Sequence, residues 1–382
     1  MKKALMLSSV ASMIDQFNME NIKILKSLGY EVHVLANFSF GNTTSDERTK
    51  EFKEELENMG IKVYNVPIPR KITAIKEMIF SYKKIKEICS ENNYNILHCH
   101  SPIGGVLARL AFKDFRKKGG KLIYTAHGFH FFKGAPIKNW IIFYPIEKFC
   151  SKYTDCLITI NKEDYKRAKG FKAKEVKYVP GIGIDTKKIK DIKRDRKKLK
   201  EFGIEEEDIV LISVGELNKN KNQEIIIKAL SKIENRNNIK YILCGKGENL
   251  EYLRNISLSL KIEKNILFVG YRKDVLNILK SSDIFCFSSK REGLSVAMME
   301  AMACNLPVVC SKIRGNTDLV LENKGGFLYD FNDIDNFKYG IERLVNDKKL
   351  RKDMGQFNFH RIKEFDKENV NAIMKKIYEG GV

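Results

Sequence analysis

The chain has 382 residues, which is long for one domain, and a prior of about 150 residues per domain suggests two. A hydrophobic fraction of 43% with a mean hydropathy of -0.33 fits a soluble globular protein, and no apolar run reaches the roughly 20 residues that span a bilayer. The formal net charge of +21 leaves open every partner that a positive field attracts, namely nucleic acids, nucleotides and anionic membranes.

The N-terminus and the cysteines predict a cytoplasmic protein. The apolar stretch Ala4 to Val10 resembles a signal peptide superficially, but it is short and runs into Asp15 without a clear cleavage site, so we interpret it as a buried strand. The eight cysteines form no Cys-x-x-Cys pair, and most of them lie in apolar patterns. This usage is typical of small buried thiols in a reducing compartment.

Short β-rich runs alternate with longer helical patterns in the first half of the chain. The predicted strands are Leu5–Ser9, Glu31–Ala36, Lys62–Val66, Ile96–Cys99, Leu122–Thr125 and Cys156–Ile160. Helical patterns lie between them, for example at Asn18–Leu28, Asp46–Met59 and Ile72–Ser90. Such alternation predicts βαβ units and a parallel sheet.

The alternation breaks at residues 180–207, where glycines precede the strongly basic segment Lys187–Lys200. It resumes with strands predicted at Ile209–Val214, Tyr241–Cys244, Ile266–Val269, Ile284–Phe287 and Pro307–Cys310, and with helices beginning near Asn222, Glu248, Lys273 and Leu294. The predicted fold class is therefore α/β, with two doubly wound domains at 1–182 and 205–358 and a C-terminal helix at 360–382 that packs back on the first. Ligands of such sheets bind beyond the carboxyl ends of the strands, so we expect the site in a cleft that both domains face.

The strongest single signal is Glu292-Gly293-Leu294-Ser295, followed by an apolar helical pattern that contains Glu300. Free N–H groups at the beginning of a helix suit phosphate oxygens, and the two acids can accept hydrogen bonds from sugar hydroxyls. A bare pair of acids at this spacing is more often a pair of surface residues. Here the helix is apolar nearly all round, so Glu300 would be a carboxylate in a buried helix, which is unfavourable without a partner.

Residues 291–310 resemble the donor-binding signature of the retaining GT-B glycosyltransferases of family 4, and the resemblance extends over nearly the whole chain. Those enzymes have two Rossmann-like domains, need no metal, and bind a nucleotide sugar mainly in the C-terminal domain. The resemblance implies that Glu292 contacts the donor sugar as a catalytic residue and that Glu300 holds the ribose hydroxyls. It also implies that the amides of Gly293, Leu294 and Ser295 receive the diphosphate.

Residues 213–222 join a predicted strand to a helix and carry a second part of this resemblance. Gly215 and Lys221 match the family's glycine and its diphosphate-binding lysine, so the resemblance places both at the donor and makes Lys221 catalytic. Glu216 stands where the family has an arginine. An acid beside a pyrophosphate would be repelled, so we expect Glu216 to point away and Lys219 to be a candidate for the missing charge. A lysine-rich loop on its own is usually a solvated surface.

Two further turns follow predicted strands of the second domain. Gly245-Lys246-Gly247 resembles the family's Gly-x-Gly turn, which is a weak signal when taken alone. Arg272 lies in the loop that the family places beside the nucleobase. We assign Gly245 and Arg272 to donor binding, although Arg272 could equally be a surface residue.

The first domain supplies the predicted acceptor side. His127 lies just beyond a strand, and the resemblance implies that it is near the donor sugar and the reacting centre, whereas a lone histidine is more often structural. His100 and Ser101 end the preceding strand, and Asn18 opens an early helix. We assign these three to the acceptor, together with the stretch 8–18, which replaces the glycine-rich loop of many relatives.

No metal and no other cofactor is predicted. His98 and His100 share one face of a strand and with His130 could suggest zinc, but no acid or thiolate completes a ligand set at the usual spacing. Asp333-Ile334-Asp335 has the Asp-x-Asp spacing of metal-dependent glycosyltransferases. We interpret it as the N-cap of a late helix.

The resemblance implies transfer with retention of the anomeric configuration. Front-side attack is the usual proposal for such transfer, so we assign no residue as the nucleophile.

Residues 70–88 combine basic side chains with a row of isoleucines. They could lie on an anionic membrane surface, or could form an amphipathic helix that packs on its own sheet. The similarity is greatest to bacterial capsule and exopolysaccharide enzymes, which commonly act on undecaprenyl-diphosphate-linked sugars. It predicts a UDP-N-acetylhexosamine or related donor, a polyprenyl-diphosphate-linked or other saccharide acceptor, and a location on the inner face of the cell membrane.

Two other functions remain open. An epimerase of UDP-N-acetylglucosamine shares the fold and the donor, but the paired acids and the setting of His127 favour transfer. A nucleic-acid-binding protein would explain the net charge of +21, but no motif for RNA or DNA binding supports it, so we expect no nucleic-acid partner.

Overall fold

The computed structural model describes residues 1–380. The chain divides into two compact units. The N-terminal unit is Met1–Ile182 together with the C-terminal segment from Glu368, and the C-terminal unit is Gly183–Lys367. The second unit therefore includes the basic segment and residues 359–367, which the predicted range of 205–358 left out.

The N-terminal unit contains a seven-stranded parallel sheet in the order β3-β2-β1-β4-β5-β6-β7. Its strands are β1 Lys2–Val10, β2 Tyr30–Asn37, β3 Lys62–Asn65, β4 Ile96–His100, β5 Lys121–Ala126, β6 Cys156–Thr159 and β7 Glu175–Tyr178. Its helices are α1 Ala11–Phe17, α2 Met19–Ser27, α3 Asp46–Asn58, α4 Ile75–Asn92, α5 Pro102–Phe112, α6 Ile137–Ser151 and α7 Lys162–Ala168, and a 3-10 turn lies at Phe115–Lys118.

The C-terminal unit contains a six-stranded parallel sheet in the order β10-β9-β8-β11-β12-β13. Its strands are β8 Ile209–Val214, β9 Ile239–Cys244, β10 Ile266–Gly270, β11 Ile284–Phe287, β12 Val308–Ser311 and β13 Gly326–Tyr329. The helices are α8 Thr186–Asp191, α9 Glu224–Ser231, α10 Leu250–Ser259, α11 Val275–Ser281, α12 Val296–Ala303, α13 Asn316–Leu319, α14 Ile334–Asn346 and α15 Lys348–Arg361. Helix α16, Lys367–Glu379, follows them, and 3-10 turns lie at Arg196–Phe202, Glu263–Asn265 and Ile362–Phe365.

Both sheets are covered on both faces, which is why their central strands are continuous apolar runs. In β1, Leu5 and Leu7 belong to one apolar core, and Ala4 and Met6 belong to another on the opposite face, as the two-residue period of a strand requires. Helix α16 completes the second of these cores in the N-terminal unit. The predicted doubly wound α/β class is confirmed by this order and pairing of strands.

Several predicted elements differ in their bounds. The predicted helix 360–382 is α16, which begins at Lys367, because α15 and a 3-10 turn occupy the preceding residues; residues 381 and 382 lie outside the described part. Residues 11–17 form helix α1 rather than a loop after β1. The basic segment, which fitted no strand, contains α8 and a 3-10 turn. Asp333 accepts a hydrogen bond from the N–H of Asn336 at 3.0 Å, so its predicted N-cap role is confirmed.

Within residues 1–380, no helix is both long enough and apolar enough to cross a bilayer. All eight cysteines are buried, and none of them forms a disulfide within the described chain.

Candidate functional site

Glycines bring three strand ends of the C-terminal unit close together. The N–H of Gly215 donates to the carbonyl of Cys244 at 2.9 Å, and the N–H of Gly245 donates to the carbonyl of Gly270 at 2.8 Å. A Cβ atom on Gly245 would lie 1.9 Å from the carbonyl oxygen of Gly215, so only glycine fits there. The predicted donor residues Gly215 and Gly245 are therefore neighbours at the carboxyl edge of the sheet.

The loop that carries Lys221 is hydrogen-bonded to the loop after β11. The N–H of Lys290 donates to the carbonyl of Asn220 at 2.8 Å, and the amide of Asn220 donates to the carbonyl of Arg291 at 3.0 Å. Asn222 adopts a left-handed conformation with φ of 55°, and its side chain donates to the carbonyl of Phe331 at 2.8 Å. These contacts hold Lys221 against residues that lie about seventy positions later in the chain.

Lys221 and Glu292, which were predicted from separate motifs, form an ion pair. Nζ of Lys221 lies 2.8 Å from Oε1 of Glu292, and both side chains are half-buried. The same Nζ lies 4.8 Å from the ring centroid of Phe287, at the end of β11, within range of a cation–π interaction. The ammonium is thus fixed beside the loop that leads into α12.

The beginning of α12 presents unbonded backbone donors. Ser295 is the N-cap, and its hydroxyl accepts from the N–H of Met298 at 3.3 Å. Across the described chain, no acceptor takes the N–H groups of Gly293, Leu294 or Ser295. Unbonded donors combined with the positive end of a helix favour an anion.

Helix α12 also carries Glu300, a little over one turn beyond its N-terminus. The side chain is half-buried, and no hydrogen bond or ion pair reaches its carboxylate from the rest of residues 1–380. Burial raises the pKa of Glu300 to about 7. A partly buried carboxyl group with a raised pKa and no partner is typical of a functional site rather than of an ordinary surface acid.

The other charged residues considered for the donor site, Arg272, Glu216 and Lys219, do not join the ion pair of Lys221 and Glu292. Arg272 is bound by acids, because Nε lies 2.8 Å from Asp274 and Nη2 lies 2.9 Å from Glu201. Glu216 is exposed and accepts a hydrogen bond from its neighbour Asn218 at 2.8 Å. Lys219 is exposed as well.

In the N-terminal unit, His100 and His127 form a hydrogen-bonded pair at the carboxyl edge of the sheet. Nδ1 of His100 lies 3.0 Å from Nε2 of His127, and Nε2 of His100 lies 3.2 Å from the sulfur of Met6. His98 lies behind them, with its ring centroid 4.2 Å from that of His100. Burial lowers the pKa of His127 to about 4 and that of His98 to about 3, and it lowers the pKa of His100 well below its ordinary value.

The sulfur of Met6 determines the direction of this chain of hydrogen bonds. A thioether only accepts, so Nε2 of His100 carries the hydrogen and donates to Met6. His100 is neutral because of its lowered pKa, so its Nδ1 accepts from Nε2–H of His127. Since the pKa of His127 is also lowered, its Nδ1 carries no proton. His127 therefore presents a hydrogen-bond acceptor rather than a donor.

The predicted acceptor-side residues meet only in part. Asn18, His100 and His127 line one small cavity of about 30 Å³. Asn18 is buried between α1 and α2, and its amide donates to the carbonyl of Met13 at 3.1 Å. Ser101 does not line this cavity, but it has a φ of 69°, which is rare for a residue other than glycine.

Two neighbouring residues that sequence reasoning missed hold the loop before α12. Nε of Arg314 donates to the carbonyl of Glu292 at 3.1 Å. Gly315 has a φ of 79°, and a Cβ atom on it would lie 2.3 Å from the carbonyl oxygen of Gly293. A glycine after an arginine just beyond β12 was the available signal, since glycine marks places where backbones approach closely.

No group of three or more histidine, cysteine, aspartate or glutamate side chains arranged to hold a metal occurs within residues 1–380. Of the three histidines considered for zinc, His130 packs on Phe143 with ring centroids 4.6 Å apart.

Comparisons with known proteins place the chain in a family. Family models match Glycosyl transferases group 1 over residues 194–361 and Glycosyl transferase 4-like over residues 5–161. The glycosyltransferase EpsD of Bacillus subtilis (strain 168) is 33% identical over 382 residues, which cover 99% of this chain and 96% of that protein. The UDP-Gal:alpha-D-GlcNAc-diphosphoundecaprenol alpha-1,3-galactosyltransferase of Escherichia coli is 32% identical over 303 residues, 76% of each chain.

The fold is shared with solved structures as well. HepE of Anabaena, solved in complex with UDP-glucose, superposes with a TM-score of 0.78 over 100% of both chains at 19% identity. The matching family models, the full-length relative and the two doubly wound sheets agree with the resemblance seen in residues 291–310. This chain therefore belongs to the group 1 glycosyltransferases, the family 4 enzymes of the GT-B fold.

Proposed function

We propose that this glycosyltransferase moves a UDP-linked hexose, an N-acetylhexosamine or a derivative, onto a saccharide carried by a polyprenyl diphosphate, with retention, in the synthesis of a surface polysaccharide. The observation that carries the donor half is the arrangement of Lys221, Glu292 and the unbonded N–H groups at the beginning of α12. The Escherichia coli relative, whose name specifies a UDP-sugar and a diphosphoundecaprenol acceptor, supports the acceptor half.

In this proposal each part of the C-terminal site binds one part of the donor. The diphosphate lies on the amides of Gly293, Leu294 and Ser295, where unbonded donors and the helix dipole favour it. Glu300 accepts hydrogen bonds from the two ribose hydroxyls, which gives its carboxylate partners that the chain itself does not supply. The base lies near the loop of Gly245 and Arg272.

In this proposal, Lys221 and Glu292 are each other's partners until the donor binds, and groups of the donor then take the place of both partners. When the diphosphate binds, Lys221 turns its ammonium to the phosphate oxygens, and Glu292 becomes free to accept hydrogen bonds from hydroxyls of the transferred sugar. Both groups are half-buried, and a charge without a partner is unfavourable in such a place. In this proposal each charge has a partner both before and after the donor binds.

Transfer then depends on stabilising the leaving group. The bond between C1 of the sugar and the phosphate oxygen breaks, and a bond from the acceptor oxygen to C1 forms on the same face. The acceptor proton moves to the leaving phosphate. Lys221 and the backbone amides stabilise the developing negative charge, so in this proposal the protein supplies the charge that a metal ion supplies in other transferases.

His127 contributes through its unprotonated Nδ1, which we propose accepts a hydrogen bond from a sugar hydroxyl. Burial keeps His127 neutral, and the hydrogen bond to His100 keeps its hydrogen on Nε2. In this proposal the two histidines orient the substrate and do not transfer a proton to it.

The surface of the N-terminal unit supports a membrane-bound acceptor. Two segments expose large apolar side chains: Ile72, Ile75, Ile79 and Phe80 just before and in the first turns of α4, and Ile137, Ile141, Ile142, Ile146 and Phe149 on α6. Ile137 is 78% exposed and Ile141 is 69% exposed. Exposed lysines such as Lys76 and Lys138 lie between them, which favours an anionic bilayer. The second half of α4 packs on the sheet through Ile85 and Ile88, as the amphipathic-helix alternative predicts, whereas membrane contact of its exposed first half is part of this proposal.

Thermal shifts of the full chain with UDP-, GDP- and ADP-sugars test the donor. We expect stabilisation by one UDP-sugar and by UDP, and none by the matching GDP- and ADP-compounds. Transfer of that sugar to a polyprenyl-diphosphate-linked saccharide, with the anomeric configuration read by NMR, tests the reaction. An epimerised free nucleotide sugar, formed without acceptor, would contradict the proposal in favour of an epimerase.

Flotation with liposomes tests the membrane surface. The full chain should float with anionic vesicles at low salt and should not float with vesicles of neutral lipid. Ile141→Ser should weaken flotation, while Leu258→Ser, an exposed leucine of the C-terminal unit, serves as the matched control. Equal flotation of both variants would count against α6 as the contact.

A further inference from the structure

A cavity of about 530 Å³ opens among α4, α5 and α6 in the N-terminal unit. This volume lies in the range of about 300–1,000 Å³ that is usual for small-molecule sites. Its walls are almost entirely apolar, with Val106 and Leu110 from α5, Phe143 and Ile146 from α6, and Met78 from α4. A site with these walls suits hydrocarbon.

The charged residues near the cavity neutralise each other. Oε2 of Glu147 accepts from Nη1 of the buried Arg109 at 2.8 Å, and Oε1 of Glu147 accepts from the hydroxyl of Tyr124 at 3.2 Å. Arg109 also lies 4.1 Å from the ring centroid of Tyr124. Because Arg109 and Tyr124 occupy both carboxylate oxygens of Glu147, this carboxylate has little capacity left for a nucleotide or a free sugar. Nη2 of Arg109 has no partner within residues 1–380, but Arg109 is fully buried and does not line the cavity.

The mouth of the cavity combines apolar and positive groups. Phe149 and Ile146 line the cavity and are also exposed on α6. Nζ of Lys152 lies 3.9 Å from the ring centroid of Phe149. Lys152 forms no ion pair with an acid of residues 1–380. A ligand with a hydrocarbon chain and an anionic head therefore matches both the interior and the mouth.

We propose that this cavity binds the first isoprenoid units of the lipid-linked acceptor, with Lys152 at its mouth facing the diphosphate. The choice of an isoprenoid over another hydrocarbon rests on the proposed function. Binding here would draw one end of the chain out of the bilayer at the same surface that exposes α6, so that the lipid contributes to recognition of the acceptor.

Calorimetric titration of the full chain with farnesyl phosphate tests the site directly. Dodecyl phosphate has a linear chain of the same main-chain length with the same head, and inorganic phosphate has the head alone. We expect farnesyl phosphate to bind at least ten-fold more tightly than dodecyl phosphate and inorganic phosphate to show no binding. If dodecyl phosphate binds equally well, the site takes any membrane acyl chain and the isoprenoid assignment is wrong.

A pair of substitutions at one position shows where the chain binds. Val106→Trp fills the cavity and should weaken farnesyl phosphate binding at least ten-fold, whereas Val106→Ala, the matched control, should change it less than three-fold. Leu110→Trp replaces the first variant if that variant does not fold. The thermal shift with UDP reports on folding and on the donor site of each variant, and it should be unchanged.

The outcomes separate this proposal from the proposed function. If Val106→Trp binds farnesyl phosphate and uses a lipid-linked acceptor as the unchanged protein does, the cavity is not the site, and the glycosyltransferase proposal stands. If farnesyl phosphate binds in the cavity but no lipid-linked saccharide is glycosylated, the chain site stands and the acceptor proposal fails.

Discussion

The two units bury ionisable groups of opposite kind at corresponding edges of their sheets. The N-terminal unit buries His98 and His100 and half-buries His127, and desolvation lowers the pKa of each, so these three are neutral at pH 7. The C-terminal unit half-buries Glu300, and the same effect raises its pKa to about 7. The difference teaches that one physical effect, loss of water, keeps imidazoles neutral in one unit and leaves a carboxyl group close to half-protonated at pH 7 in the other.

The largest expected effect is the loss of the Lys221 ammonium from the proposed donor site. Lys221→Ala should lower kcat for sugar transfer by about 10²–10³, because a charge that stabilises the leaving diphosphate is removed. Steady-state transfer assays measure this. Lys219→Ala, in the same loop but exposed, is the control and should retain nearly full activity. Equal losses in the two variants would mean that the loop acts only through its general positive field.

The second effect concerns the proposed contact of Glu300 with the ribose. Glu300→Gln should weaken UDP binding roughly ten- to hundred-fold, since hydrogen bonds to a charged group contribute about 1.5–3 kcal/mol. In the unchanged protein the Kd of UDP should rise as the pH falls below about 7, because the carboxylate becomes protonated. Titration calorimetry between pH 6 and 8 should show no such rise in the variant; a pH dependence that survives the substitution would point to another group.

The third prediction tests the protonation form of His127. The amide of asparagine can place an oxygen near the position of Nδ1, and that of glutamine places its amide near Nε2. His127→Asn should therefore retain about ten-fold more activity than His127→Gln. NMR of ¹⁵N-labelled histidine reads the tautomer without any substrate and should show hydrogen on Nε2. Hydrogen on Nδ1 would overturn the direction assigned from Met6.

The smallest effect is on stability, and its sign differs between the units. The pKa of His98 is about 3 in the native chain and near 6.5 when unfolded, so the unfolded chain binds more protons and stability is lost as the pH falls below about 6.5. His98→Gln removes this titration, so its Tm should fall less on acidification, by about 2–4 °C at pH 5. His360→Gln, at an exposed position, is the control. Scanning calorimetry of the full chain measures both.

Glu300 should give the opposite dependence. Its native pKa of about 7 lies above its ordinary value of 4.5, so the native chain binds more protons between these values, and its contribution is lost as the pH rises through 7. The Tm of Glu300→Gln relative to the unchanged protein should therefore increase with pH over this range. A relative Tm that does not vary with pH would mean that Glu300 is not desolvated in solution.

Element types in the centre of each sheet could be predicted from the sequence, because strands covered on both faces are short apolar runs that local composition shows directly. Strand β11 was predicted with its observed bounds, Ile284–Phe287. The two strands that were missed, β7 and β13, lie at sheet edges. In β7, Glu175–Tyr178, the side chains are all half-buried and mix apolar with charged residues, so no run marks it.

The sequence by itself determined the family, the two-fold repetition of the α/β pattern and the residues of the donor signature, because these are carried by short contiguous motifs. Tertiary structure alone decided which of those residues meet. The ion pair of Lys221 with Glu292 joins positions far apart in the chain, as does the hydrogen-bond chain from Met6 to His127. It also decided which side of α6 stays uncovered, since a helix that is apolar on all sides carries no local sign of the face that its neighbours leave exposed.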